Sequence, residues 1–271
     1  MENCKIITVA SQKGGTGKTT TACNLGAALA NGGYRVLLAD FDPQSNLSMS
    51  FGIERPDELT MTMHDVLSLI MDGAELPNTS EYIRHGDKLD IIPSNINLSI
   101  TEINLRNELG GEHTLSELLE PLRADYGYII IDTNPYLGLL TINALAACDS
   151  VIIPASPQLW SATGLTDLLQ TILKVKRKIN PRIEVEGVLL TMCDERTRLF
   201  RDAKALLDGF CEDKLRIFNT RIPSTVKVGE ANYSGVSIMD FAAKSKAAIA
   251  YNELAREVIG YAGSNKANTT T

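Results

Sequence analysis

The sequence predicts an α/β fold: a doubly wound, mostly parallel sheet flanked by helices. Three observations carry this expectation. Short, β-branched apolar runs recur along the chain with helical stretches between them, the rhythm of strand, crossover and parallel strand. Within the runs the apolar residues are nearly continuous, as strands covered on both faces require. The 271 residues are 44% hydrophobic and 22% charged, ordinary proportions that exclude a disordered or fibrous chain.

Strands are predicted at Lys5–Val9, 36–40, 89–93, 128–132, 151–154 and 185–191. A helix is expected from near Lys18 through Ala22, Leu25 and Leu29, directly after a glycine-rich turn. Leu165, Leu168, Leu169, Ile172 and Val175 make one helical stripe, with Lys174, Lys176, Arg177 and Lys178 around it. A last helix is expected over 246–261, through Ile249, Leu254 and Val258. Residues 1–262 read as a single domain and the polar residues 263–271 as a disordered tail.

Several classes are set aside. No apolar run reaches the ~18 residues of a membrane span. The start of the chain, Met1-Glu2-Asn3-Cys4-Lys5, lacks the basic and apolar regions of a secretory signal. Cys4, Cys23, Cys148, Cys193 and Cys211 are odd in number and scattered. That spacing argues against a disulfide framework or a zinc site and fits a reducing cytosol.

The most specific motif follows the first strand: Lys13-Gly14-Gly15-Thr16-Gly17-Lys18-Thr19-Thr20. It departs from the phosphate-loop pattern G-x-x-x-x-G-K-S/T, because Gln12 stands where the first glycine would be. The context is nevertheless strand, glycine-rich turn, helix. Glycines let backbone N–H groups encircle phosphate oxygens, and the helix N-terminus adds partial positive charge. Lys18 is expected to reach the β- and γ-phosphates, Thr19 to hold Mg²⁺ and Thr20 to touch the α-phosphate.

Such a loop needs acids at neighbouring strand ends, and two are present. The strand over 128–132 ends in Asp132, the Walker B pattern, expected to bind Mg²⁺ through water. The strand over 36–40 runs into Asp40-Phe41-Asp42-Pro43-Gln44. Asp40 and Asp42 are assigned to opposite sides of the strand end. Asp42 is expected to orient the attacking water and is also a metal candidate; Asp40 is expected to support the metal or the loop from behind.

On these residues the chain resembles the ParA/Soj family of deviant Walker A partition ATPases, within the larger group that includes MinD. The likeness runs on through Pro135, 137–145, 188–192, Arg196-Thr197, Ile222-Pro223, Glu230-Ala231, Ser245-Lys246 and Ala250-Tyr251. It implies a P-loop NTPase fold with ATP and Mg²⁺ as cofactors, and slow hydrolysis of ATP to ADP and phosphate. It implies that Lys13 crosses an ATP-sandwich homodimer to the partner's phosphates, with Gly14 where that interface is tightest. It assigns adenine contacts to the segments holding Met192 and Pro223. A ParB-like partner would stimulate hydrolysis and release the dimer from non-specific DNA, giving a cytoplasmic, nucleoid-associated protein that segregates or positions its cargo. The chain departs from the family at Thr133-Asn134-Pro135-Tyr136, usually Cys-Pro-Pro-Ser. It also departs at Gln158, ahead of Leu159-Trp160, where an acid is common, at Ser224-Thr225-Val226-Lys227, usually Arg-Asn-Val-Arg, and across 230–237, which lacks the usual prolines.

Net charge is −7, which taken whole argues against nucleic acid. Residues 174–227, however, hold 13 basic and 8 acidic residues, a net of +5, while the rest of the chain nets −12. A basic segment on an acidic body is the footprint of phosphate-backbone contact. Arg196, Arg198, Arg201, Lys204 and Lys227 are the DNA-binding candidates, with Lys244 and Lys246 in reserve. The polar run from Asn265 to Thr271 has no apolar face for a membrane-binding helix, so no membrane partner is expected. The short lead before Lys5 suggests no helix-turn-helix module. A nucleotide-switched scaffold that positions a protein complex with little DNA binding is the alternative.

Overall fold

The computed structural model describes residues 4–158, 161–212 and 215–268, with side chains to Tyr261. Leu159 and Trp160 lie outside the described residues. The elements alternate as expected. The first half runs β1 (Lys5–Val9), α1 (Lys18–Asn31), β2 (Val36–Phe41), α2 (Asn46–Ser50), α3 (Met63–Met71), α4 (Thr79–Tyr82), β3 (Arg84–His85), β4 (Leu89–Ile92), α5 (Leu98–Asn104) and α6 (Thr114–Leu122). The second half runs β5 (Tyr128–Thr133), α7 (Leu139–Ala147), β6 (Ser150–Ala155), α8 (Ala162–Lys178), β7 (Glu184–Cys193), α9 (Arg198–Cys211), β8 (Ile217–Pro223), α10 (Val226–Tyr233), α11 (Ile238–Ala242) and α12 (Lys246–Asn268).

The strands form one sheet in the order β3-β4-β2-β5-β1-β6-β7-β8, parallel throughout except for the edge pair β3–β4. From β1 the chain winds one way through β2, and from β5 the other way through β6, so the end of β1 sits at the crevice where ligands gather in open α/β sheets. The central strands β2, β5 and β6 are buried along their whole length, which explains their unbroken apolar runs.

Each face of the sheet carries its own core. One packs Ile6, Leu37, Ile129 and Ile131 against residues of α3 and α6–α8; the other packs Ile7, Leu38 and Ile130 against α1 and α12. All five cysteines are free and buried.

Two strands escape the apolar-run pattern. β3 is two polar residues, Arg84 and His85. β8 is the far edge and alternates half-buried, buried and exposed positions. The last helix continues to Asn268, into the stretch read as a tail.

Glu257 of α12 clamps β8. Its carboxylate accepts hydrogen bonds from the backbone of Thr220 at 2.7 Å and Asn219 at 3.1 Å, and from the Arg216 guanidinium at 3.0 Å. Burial works against ionising Glu257, but these donors outweigh it and hold its carboxyl below the usual range. The stability this supplies is therefore present above the ordinary carboxylate range and lost as the pH falls through and below it. Glu257→Gln is expected to cost about 1–2 kcal/mol at neutral pH in urea unfolding. The gap should close towards pH 3; an undiminished gap there would contradict the clamp.

Candidate functional site: a phosphate loop with strand-end carboxylates

Strand register builds the site. Val9, the last residue of β1, pairs with Asp132 of β5, and Asp132 pairs with Asp40 of β2. The two acids thus lie side by side on adjacent parallel strands, ~4.8 Å apart in the pairing direction, next to the strand from which the loop departs. The Thr133 hydroxyl fixes this edge by donating to the Val9 carbonyl at 3.0 Å.

The loop itself spans Ser11 to Gly17. Gly15 and Gly17 adopt positive φ of 74° and 84°, the left-handed region that glycine enters without penalty. Gly17 is the N-cap of α1, and no side chain caps that helix start, so its first N–H groups are open to an acceptor. Lys13 and Gly14 are exposed, whereas Thr16 and Lys18 are buried. Lys18 Nζ folds back to the Lys13 carbonyl at 3.3 Å. Two hydrogen bonds tether the loop region: Thr191 Oγ1 of β7 donates to the Thr16 carbonyl at 2.8 Å, and Asn232 Nδ2 of α10 donates to Thr20 Oγ1 at 3.2 Å.

Charge is concentrated here. Burial pushes the Lys18 ammonium below the usual lysine range, while Asp132 and Asp42 pull it back up. Asp132 is fully buried, and neither of its oxygens meets a partner with hydrogen-bond distance and angle, although the Thr19 hydroxyl lies near enough to favour its ionised form. Burial first, then the Asp40 charge, holds its carboxyl well above the usual range; neighbouring Thr19 and Lys18 oppose this, and Asp42 adds to it. Asp42 is buried too, and burial raises its carboxyl against the Gln44 backbone bond (3.0 Å) and the Lys18 charge.

The expectation that Asp40 and Asp42 point to opposite sides is corrected. Residues two apart in a strand share a face, and both charges bear on Asp132. Their roles differ through partners rather than direction. Asp40 accepts from Ser48 N at 2.8 Å, Ser48 Oγ at 2.6 Å and Asp42 N at 3.3 Å. It is a buried brace that locks the Asp42 loop to α2, and its carboxyl is pushed up to about 7, chiefly by burial.

The other predicted residues are less concentrated. Met192 has a positive φ of 52°, rare for a residue with a side chain. Its Cε would lie 3.7 Å from a Cβ built on Gly17, so β7 does bring it against the loop. Pro223, the last residue of β8, lines a cavity of about 570 Å³ with Cys193, Arg196, Arg221, Lys246 and Glu253. In the switch segment Asn134 is buried, accepting from Tyr136 N at 3.3 Å and Thr141 Oγ1 at 3.4 Å, while Tyr136 is 73% exposed. Gln158 is exposed.

Three of the five DNA-binding candidates carry acidic neighbours: Arg196 pairs with Asp194 at 2.9 Å, Arg198 with Asp202 at 3.3 Å, and Lys204 with Asp208. Arg201 and Lys227 are exposed, with no side-chain partner among the described residues. Asn232, the partner of Thr20, went unnoticed in the sequence because an asparagine on a short helix carries no motif.

A buried lysine in a glycine-rich strand-to-helix loop, beside the carboxylates of Asp132 and Asp42, places the chain in the P-loop NTPase fold class. A family model described as an AAA domain matches residues 4–185. The sporulation initiation inhibitor protein Soj of Bacillus subtilis is 41% identical over 254 residues, covering 94% of this chain and 98% of Soj. The chromosome partitioning protein ParA of Caulobacter vibrioides is 40% identical over 263 residues, covering 94% of each. Among solved structures, the cobyrinic acid a,c-diamide synthase of Mycobacterium smegmatis, crystallised with ADP and magnesium, superposes with a TM-score of 0.81. It is 36% identical, with 94% of each chain covered. The chain belongs to the ParA/Soj family. Among the described residues, no helix is long and apolar enough to cross a membrane.

Proposed function

We propose that this protein is a Mg-ATP-dependent partition ATPase. In this reading it forms an ATP-sandwich homodimer, holds DNA non-specifically and is released when a ParB-like partner stimulates hydrolysis. The observation that carries the reading is the fully buried Asp132, both oxygens unpartnered, beside Lys18 and the open start of α1. An orphaned buried carboxylate is costly unless a cation completes it. The residues present fit Mg²⁺ and a nucleotide: Thr19, Asp132 and Asp42 for the metal, and Gly14 to Thr20 with Lys18 for the phosphates. Among the described residues no three His, Cys, Asp or Glu side chains form a metal cage, as suits Mg²⁺, which keeps waters and substrate phosphates as ligands. When bound, the metal neutralises charge developing on the phosphoryl oxygens. Asp42, held by its own loop, orients water; Lys13, exposed, is free to act across an interface.

Two outcomes test this. Asp42→Ala should lower steady-state ATP hydrolysis at least about tenfold, the low end of what a positioned acid or base contributes, with ATP affinity kept within a few-fold; hydrolysis at the wild-type rate would refute the assignment. Gly14→Val should fold normally, because a Cβ there meets nothing within 4 Å and φ is not in the left-handed region. It should bind ATP yet fail to dimerise in sedimentation. ATP-dependent dimers of this variant would remove Gly14 from the interface.

The ion pairs around Arg196, Arg198 and Lys204 favour a second reading, a nucleotide-switched positioning scaffold with little DNA binding. Retention of duplex DNA at low salt, with and without ATP, separates the two.

A further inference from the structure

Thr20 is held by the segment that follows β8. It is the third residue of α1 after the cap Gly17, so its backbone N–H has no partner within the helix. Asn24, one turn on and buried, donates through Nδ2 to the Thr20 carbonyl at 2.8 Å. Through Oδ1 it accepts from the backbone of Ile238, the first residue of α11, at 2.8 Å. Residues four apart share a helix face, so Thr20 and Asn24 make one polar seam against α10 and α11.

Asn232 of α10 completes the seam. Its Nδ2 donates to Thr20 Oγ1 at 3.2 Å, the one hydrogen bond of its side chain among the described residues, while its Oδ1 is buried without a partner. A half-satisfied buried amide costs stability, so the fold alone does not account for it. Its position is fixed. Gly235 N donates to the Asn232 carbonyl at 3.1 Å, and Gly235 packs so closely on Gly52 that a Cβ on it would stand 2.7 Å from the Gly52 Cα. Proline, usual in this stretch of the family, has no side-chain donor to offer.

A hydroxyl has one proton to give. A helical threonine commonly donates it to the carbonyl four residues back, here that of Thr16, which already accepts from Thr191 Oγ1 at 2.8 Å. The Thr20 proton has no acceptor among the described residues. Because the Asn232 amide occupies a lone pair of Thr20 Oγ1, the N–H and O–H of Thr20 are both left for an anion. We infer that Asn232 is a positioning residue of the nucleotide site, turning the Thr20 hydroxyl proton toward the α-phosphate. This rests on the nucleotide site of the proposed reading and adds to it a residue from outside the loop. The α-phosphate is common to ATP and ADP, so Asn232 acts equally on both, unlike Lys18, which is assigned to the β- and γ-phosphates.

Calorimetric titration with Mg-ADP and with a non-hydrolysable Mg-ATP analogue tests this. Asn232→Ala should weaken both by the same factor, about three- to tenfold, the scale of one hydrogen bond. In steady-state hydrolysis KM should rise by that factor with kcat within about twofold, the mark of an interaction made alike in ground and transition states. In a Thr20→Val background Asn232→Ala should cost less than about twofold, because the group it positions is gone. Thermal unfolding of the nucleotide-free proteins controls for folding. Equal losses in the two backgrounds would show that Asn232 acts by another route and would overturn the inference. So would an unchanged ADP affinity, or a loss confined to the ATP analogue. The partition reading fails separately, if ATP adds nothing to DNA retention by the wild type.

Discussion

Lys18→Ala is expected to weaken ATP binding by a factor of 100 or more, equivalent to about 3 kcal/mol. Lys18 is buried at the N-terminus of α1, and Asp132 and Asp42 are the charges that act on it. Nucleotide phosphates brought into that site would lose a buried cation, and breaking a buried charge pair costs about 3–5 kcal/mol. The fold should survive, since Asp132 and Asp42 already favour their protonated forms more than exposed carboxyls do and can answer by taking up a proton. Titration with a fluorescent ATP analogue reads the loss directly. Affinity within threefold of the wild type would mean that Lys18 is not a phosphate ligand.

Asp132→Asn should move stability and activity in opposite directions. The wild-type carboxyl is buried with no hydrogen-bond partner and sits beside Asp40. Removing its charge relieves a desolvation cost, so the nucleotide-free variant should be more stable by about 1–3 kcal/mol in urea unfolding. Mg-dependent hydrolysis should fall at least 100-fold, the scale seen when a single preorganised electrostatic group is removed. The wild type should also gain more stability from Mg-ATP than the variant does, because binding to the folded state alone stabilises by mass action. A variant that loses stability without ligand, or hydrolyses ATP normally, would show that Asp132 is a structural carboxylate.

The fold was legible where burial is complete. β1, β2, β5 and β6 are apolar because both sheet faces cover them, and their ends could be placed within a residue. β8 was not legible, because an edge strand covered unevenly reads Ile217-Phe218-Asn219-Thr220-Arg221 with polar residues between apolar ones. The loop, Lys18 and Asp132 were legible because their chemistry fixes their spacing. Asp40 and Asp42 were found but misoriented, through a slip in strand periodicity rather than any ambiguity in the residues. The basic segment misled in another way. A count over 174–227 averages a neutral stretch, 183–227, with the positive residues 174–182, and the i,i+4 pairs Arg198–Asp202 and Lys204–Asp208 show that two of the cations named as DNA contacts are engaged locally.

The two tethers on the phosphate loop carry a consequence for signalling within the molecule. Thr191 holds Thr16 from β7, and Asn232 holds Thr20 from α10. β7 leads directly to Arg196 and Arg198, and α10 carries Lys227. Occupancy at the phosphates and the posture of the outer basic residues are therefore joined by single hydrogen bonds, with no intervening domain. A displacement of the loop larger than these bonds can stretch must either break one of them or be passed along it.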